Sequence, residues 1–197
     1  MKTHILIFVL PLVLAACSIL QPVKDTAIHH LLDPVIPGRV VTGSRPAIAI
    51  ARPALPSYLD RQQLVTRTAD GGLQMNASHL WAEPLDAAIS RVTAINLSRL
   101  ANSLNIQPIE NFITLDYQTL LEIRVSRFEP DASGRVILEC TWKLQPVAGR
   151  VANVRSFSTT VPINHPDSLA SPVLQSGQTA AMNEALGRLS RDIARTL

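Results

Sequence analysis

The sequence predicts an α+β domain, with two helices packed on one face of a mainly antiparallel sheet in the order βββ-α-βββ-α. Three observations carry this. Apolar and polar residues alternate over 121–126 and again over 135–145, the period of half-buried antiparallel strands. Two stretches, about 84–104 and 176–196, repeat apolar residues at helical spacing. Shorter apolar runs before and between them are set off by glycine and proline turns. At 197 residues the chain suits one domain with extras rather than two. Its 47% hydrophobic against 17% charged content fits a packed core, and with only 4% aromatics aliphatic side chains must build that core.

The first element is a leader, not a fold element. Lys2 and His4 precede an apolar run from Ile5 to Leu14, interrupted by Pro11. Such a run is about half the roughly 20 residues that a membrane-spanning helix needs, so it reads as a secretory signal. It ends in Leu14-Ala15-Ala16-Cys17, which resembles the bacterial lipobox. Small residues admit the peptide to the signal peptidase cleft, and only a thiol can form the thioether to diacylglycerol. The expected division is therefore 1–16 signal peptide, 17–46 lipidated Cys17 and flexible tether, and 47–197 domain. Two lipid signals already suffice for stable anchoring, so a three-chain cap on Cys17 would hold essentially permanently. Ser18, where an aspartate would resemble an inner-membrane retention signal, points to outer-membrane sorting. Cys140, the other cysteine, is left without a partner, and the strand pattern turns it inward.

Within the tether, Pro22, Pro34, Pro37 and Gly38 argue against regular structure, and the patch from Ile28 to Leu32 is suited to pair as an edge strand. Ala47 to Ala51 is a short buried strand stopped by Arg52-Pro53. Gln63–Thr68 and Leu73–Ala77 flank Asp70-Gly71-Gly72, a hairpin signal. Pro84 and Asp86 suit a helix start, and Leu85, Ile89, Val92 and Leu100 form its stripe with Ala88 and Ile95 beside it, although Asn96 intrudes. After the 121–126 strand, Pro130 to Gly134 makes a turn. The next strand puts Val136, Leu138, Cys140, Trp142 and Leu144 on one face, and Val154–Ile163 is a weaker third member. The closing helix buries Met182, Ala185, Leu186, Leu189 and Ile193 and carries Arg188, Arg191 and Arg195 near its negative end.

Signals of chemistry are missing. The sequence has no GxSxG, HExxH, CxxC, P-loop or GxGxxG motif, which disfavours an esterase or hydrolase. His29 and His30 are adjacent, so on a strand they face opposite ways and make a poor metal pair. His79 and His165 stand alone in expected loops, and Asp60, Glu83, Asp86 and Glu110 show no paired spacing. No catalytic residue, metal ligand or cofactor is therefore assigned. Without the leader the net charge is about +2 with no basic cluster, which gives no nucleic-acid footprint.

Tyr58-Leu59-Asp60-Arg61, then Val65-Thr66-Arg67, then Trp81-Ala82-Glu83-Pro84-Leu85 resemble the PqiC/YmbA family, the auxiliary lipoproteins of ABC-type transport systems. Arg127-Phe128-Glu129, Asp131, Gly134, the Trp142 strand and Leu189 to Ala194 resemble it too, so the resemblance runs from about Leu31 to the end, plus the lipobox. His29-His30 departs from it, since the family tends to have tyrosine there. The resemblance implies an outer-membrane lipoprotein facing the periplasm that docks an MCE-domain partner and an inner-membrane transport component, serves lipid traffic and envelope integrity, and can form a homo-oligomer. The rival is an envelope assembly or regulatory lipoprotein that activates some other periplasmic partner. Tyr58, Leu59, Asp60, Arg61, Arg67 and Trp81 are the candidate partner-binding residues. A purely structural alternative has Asp60 and an arginine pinning the loop to the hairpin while Tyr58 and Trp81 pack.

Overall fold

The computed structural model describes residues 27–40, 47–111, 117–149, 152–164 and 172–197. The leader, Cys17, Ser18 and His165 lie outside the described residues. The strands are β1 (Ile28–His30), β2 (Ile48–Ile50), β3 (Gln63–Arg67), β4 (Leu73–Trp81), β5 (Ile106–Pro108), β6 (Thr119–Pro130), β7 (Arg135–Pro146) and β8 (Arg155–Pro162). The helices are α1 (Leu85–Ala101) and α2 (Pro172–Ala194).

These strands form two sheets where one was expected. The larger has the order β5-β2-β6-β7-β8, the smaller β1-β4-β3. Both are mixed: β2 runs parallel to β5 and β6, and β1 parallel to β4, while β6–β7–β8 and β3–β4 are antiparallel. The departure from a mainly antiparallel sheet has a topological cause. Between β2 and its neighbours the chain makes a long excursion through the hairpin and α1, and a long crossover can return a strand in the same direction.

Helices α1 and α2 pack on each other and on the large sheet, α1 against β5 and α2 against β6 to β8. Leu121, Ile123 and Val125 of β6 and Val136, Leu138, Cys140 and Trp142 of β7 meet Leu85, Ile89, Val92, Leu97, Met182, Leu186, Leu189 and Ile193 in the core. The closing-helix stripe is buried as expected. In α1, Leu100 is exposed and Leu97 takes its place in the core. The helix also stops at Ala101, not Leu104, because Asn102 adopts the left-handed conformation (φ 50°) that asparagine tolerates.

The stretch after β1, expected in the tether, is folded onto the helices. Leu32 and Ile36 are buried. Arg91 Nη2 donates to the Leu32 carbonyl (2.7 Å), and the Asp33 amide donates to Asn183 Oδ1 (2.9 Å). The Ile36 amide donates to Asn96 Oδ1 (3.2 Å), and Arg99 Nη1 donates to the Ile36 carbonyl (2.8 Å). Asn96 interrupts the apolar stripe because it satisfies this buried backbone. On α2 a side chain at Gly187 would overlap Val35, so the glycine permits the close approach.

Candidate functional site

Two of the resembling stretches meet at one surface. The turn after Pro56 carries Tyr58 to Arg61, and Leu59, 3% exposed, anchors it in the core. β4 ends at Trp81, 7% exposed, whose amide donates to the Gln62 carbonyl (2.6 Å). A cleft of about 230 Å³ is lined by Asp60, Arg61 and Gln62 on one side and Trp81 to Leu85 on the other. Trp81 therefore packs while its backbone helps to frame the cleft. Within Trp81-Ala82-Glu83-Pro84-Leu85, Glu83 holds Arg91 (2.6 Å), the arginine that fastens Leu32.

The acid that fixes this turn is Glu129, not Asp60. Alternation along β6 breaks at a register shift between Val125 and Arg127. Phe128 then joins the core and Glu129, fully buried, lies toward the hairpin. Its Oε1 accepts from Arg67 Nε (2.9 Å) and Arg127 Nε (3.1 Å), and its Oε2 from Tyr58 Oη (2.9 Å) and the Phe128 amide (3.0 Å). Tyr58 Oη also reaches the Ser126 carbonyl (3.2 Å), and the Arg67 guanidinium lies 5.8 Å from the Tyr58 ring centroid. Burial, then the Glu129 carboxylate, pushes the Tyr58 hydroxyl up to about 12, so it stays a donor at neutral pH. Every acceptor of a buried charge is thus occupied, the condition under which burying one is tolerable.

Asp60 is exposed and enters no hydrogen bond or ion pair among the described residues. Arg61 places Nη1 2.8 Å from Met75 Sδ, and its Nε is buried without a partner among the described residues. The structure thus splits the six sequence candidates: Tyr58, Leu59, Arg67 and Trp81 build and hold the turn, Asp60 faces out from it, and Arg61 is half-buried against Met75. Glu129 is the central residue that motif reading passed over as a site. Its signal was the three-residue step from Val125 to Phe128 in an otherwise two-residue period.

The histidines also differ from expectation. His79 lies in β4, not a loop, is 8% exposed, and its Nδ1 is 2.8 Å from His30 Nε2. Burial, His79 and His29 together lower the His30 pKa. Cys140 is free and buried, its thiol pushed up to about 12 by burial and then by Asp192, so it is inert as a nucleophile. Among the described residues no three His, Cys, Asp or Glu side chains gather to hold a metal ion, and no helix is long and apolar enough to cross a membrane.

Comparison with known proteins agrees with the fold. A crystal structure of an uncharacterized protein superposes with a TM-score of 0.69 at 20% identity, covering 87% of this chain and 99% of that one. The crystal structure of protein XCC0632 from Xanthomonas campestris gives 0.68 at 18% identity, covering 85% and 93%. No curated protein is matched. At such identity these structures speak to fold alone, but the profile of the ABC-type transport auxiliary lipoprotein component spans residues 30–194. That span takes in every strand but the first two residues of β1, both helices and the residues around Glu129, and the chain belongs to the family of ABC-type transport auxiliary lipoprotein components.

Proposed function

We propose that this protein is an outer-membrane lipoprotein, cut before Cys17 and acylated there, that docks a periplasmic MCE-domain partner and an inner-membrane component of a lipid transport system, and acts by binding without turnover. The observation that carries the reading is the junction of the two resembling stretches. A turn locked from beneath by Glu129 presents Asp60 and Arg61 beside the Trp81–Leu85 rim. A rigid loop with outward polar groups is what a recognition surface needs, because little ordering cost is then left for binding. The family supports the transport context, and the lipobox supports the anchor.

The test is affinity purification of the full-length chain after in-cell crosslinking, alongside Asp60→Arg. Recovery of an MCE-domain protein, reduced about tenfold or more by Asp60→Arg, is expected for a charge reversed within an interface. Recovery of only cell-wall synthesis or secretion-channel components would overturn the assignment in favour of an envelope assembly or regulatory role. Labelled palmitate should enter the wild type and not Cys17→Ser; an unlabelled wild type would remove the anchor.

A further inference from the structure

A second cleft, of about 310 Å³, opens beside the clasp, with Arg67 in its lining. Its floor is one face of the β3–β4 hairpin, where Leu64 pairs across from Asn76 and Thr66 from Gln74. Pro130 and Ala132 of the β6–β7 turn and Ile163 add apolar wall, and Gln178 of α2 also lines it. Gln178 is 6% exposed, and its Nε2 is buried with no hydrogen-bond partner among the described residues. The described residues take that amide out of water without supplying an acceptor, which costs stability unless something else provides one.

We infer that this cleft receives an extended peptide segment of a partner protein, with a backbone carbonyl of that segment accepting from Gln178 Nε2. The inference rests on the docking reading above and adds a second point of contact to it. Two observations favour a peptide over an acyl chain. The lining mixes the charged Arg67 and Asp131, amides and hydroxyls with aliphatic surface, and peptide groups carry both donor and acceptor, whereas an acyl chain would leave Thr66, Gln74 and Asn76 facing methylenes. β3 stands at one end of the small sheet, with no further strand paired to it among the described residues, so an extended segment can run along it.

The experiment uses the full-length lipidated chain, isotope-labelled, in phosphatidylethanolamine–phosphatidylglycerol nanodiscs. It is titrated with N-acetyl-Leu-Ala-Leu N-methylamide and, separately, with decanoate. The peptide should saturably shift the Gln178 side-chain amide and the backbone amides of Val65 and Arg67, and decanoate should not. Gln178→Leu should weaken the peptide roughly two- to tenfold, the worth of one hydrogen bond. It should at the same time leave Tm unchanged or raise it, since it removes an unmet buried donor. A glutamine with only a structural role would lower Tm and leave binding alone, which overturns the inference. So does saturation by decanoate but not peptide, or no shift with either. If Gln178→Leu leaves recovery of the MCE-domain partner intact, this contact falls and the docking role stands; if wild type recovers no such partner while the peptide still saturates, the docking role falls and the cleft remains.

Discussion

The two sheets of this protein are held by different physics. The five-stranded sheet is stabilised by burial: its inner residues, among them Leu121, Leu138 and Phe128, are at most 1% exposed against two helices. The three-stranded sheet also buries Leu64, Val65 and Trp81, but polar groups fasten it at three further places. Glu129 gathers Tyr58, Arg67 and Arg127, Arg91 bridges Glu83 and Leu32, and His30 meets His79. Burial is additive and tolerant, whereas a clasp of this kind works only if each partner is present. The stretches that resemble the family fall on both sheets, and the two at Tyr58–Arg61 and Trp81–Leu85 meet beside the clasp, where the small sheet supplies a surface of defined shape.

The widest gap between the two should come from removing volume in the large sheet. Leu138→Ala is expected to cost about 2–5 kcal/mol, since Leu138 is fully buried and the surrounding helices can collapse only in part. Urea unfolding should show one transition with a lower midpoint and an unchanged slope. Amide exchange should accelerate throughout the chain. If only β7 amides lost protection, the large sheet would not be the global scaffold.

Glu129→Ala should cost less, about 2–3 kcal/mol. Breaking a buried ion pair can cost more, but Arg67 and Arg127 keep 30% and 27% side-chain exposure and can regain water. Its signature is local: β3 and β4 amides should exchange faster while β7 and α2 amides hold. A uniform acceleration would mean that the clasp belongs to the global core and that the contrast between the sheets is wrong.

The same contrast explains what could be read from the sequence. Alternation in β6 and β7, the Asp70-Gly71-Gly72 hairpin and the α2 stripe are local patterns, and each appears in the structure near its expected place. Parallel pairing of β2 with β5 and β6 is not local, and nothing in Ile48–Ile50 announces its partners. The candidate site was half legible. Tyr58, Arg67 and Trp81 stood out by resemblance, but the carboxylate that joins them is 62 residues from Arg67 and 71 from Tyr58 in the chain. Asn96 was visible as a fault in an apolar stripe, and its purpose became clear only once Ile36 lay beside it.

Asn96 tests how the segment after β1 is held on α1. Asn96→Ala leaves the buried Ile36 amide without its acceptor, while also deleting an Nδ2 that is buried with no partner among the described residues. The first change costs about 1–3 kcal/mol and the second returns part of it, so a net loss of about 1 kcal/mol is expected. Limited proteolysis should cut within residues 31–40 sooner than in the wild type. Unchanged cleavage would mean that Arg91, Arg99 and Asn183 suffice to hold the segment.

The smallest effect should be one of pH, and it separates the sheets without altering a core side chain. His30 and His79 share a hydrogen bond of 2.8 Å, which needs a neutral ring nitrogen as acceptor. Burial, then His79 and His29, hold the His30 pKa below its usual 6.5, so the folded state favours neutral imidazole. Thr179 Oγ1, 3.4 Å from His30 Nδ1, is the neighbour from α2 and carries no charge. The stabilisation is therefore fully present above pH 6.5 and declines as pH falls through that value toward the lowered folded one. Between pH 7.5 and 5.5 the β1 and β4 amides should lose protection while β6 to β8 keep theirs, and His30→Gln should flatten the local decline. A decline of equal size in β7, or one that survives His30→Gln, would place the titrating group elsewhere.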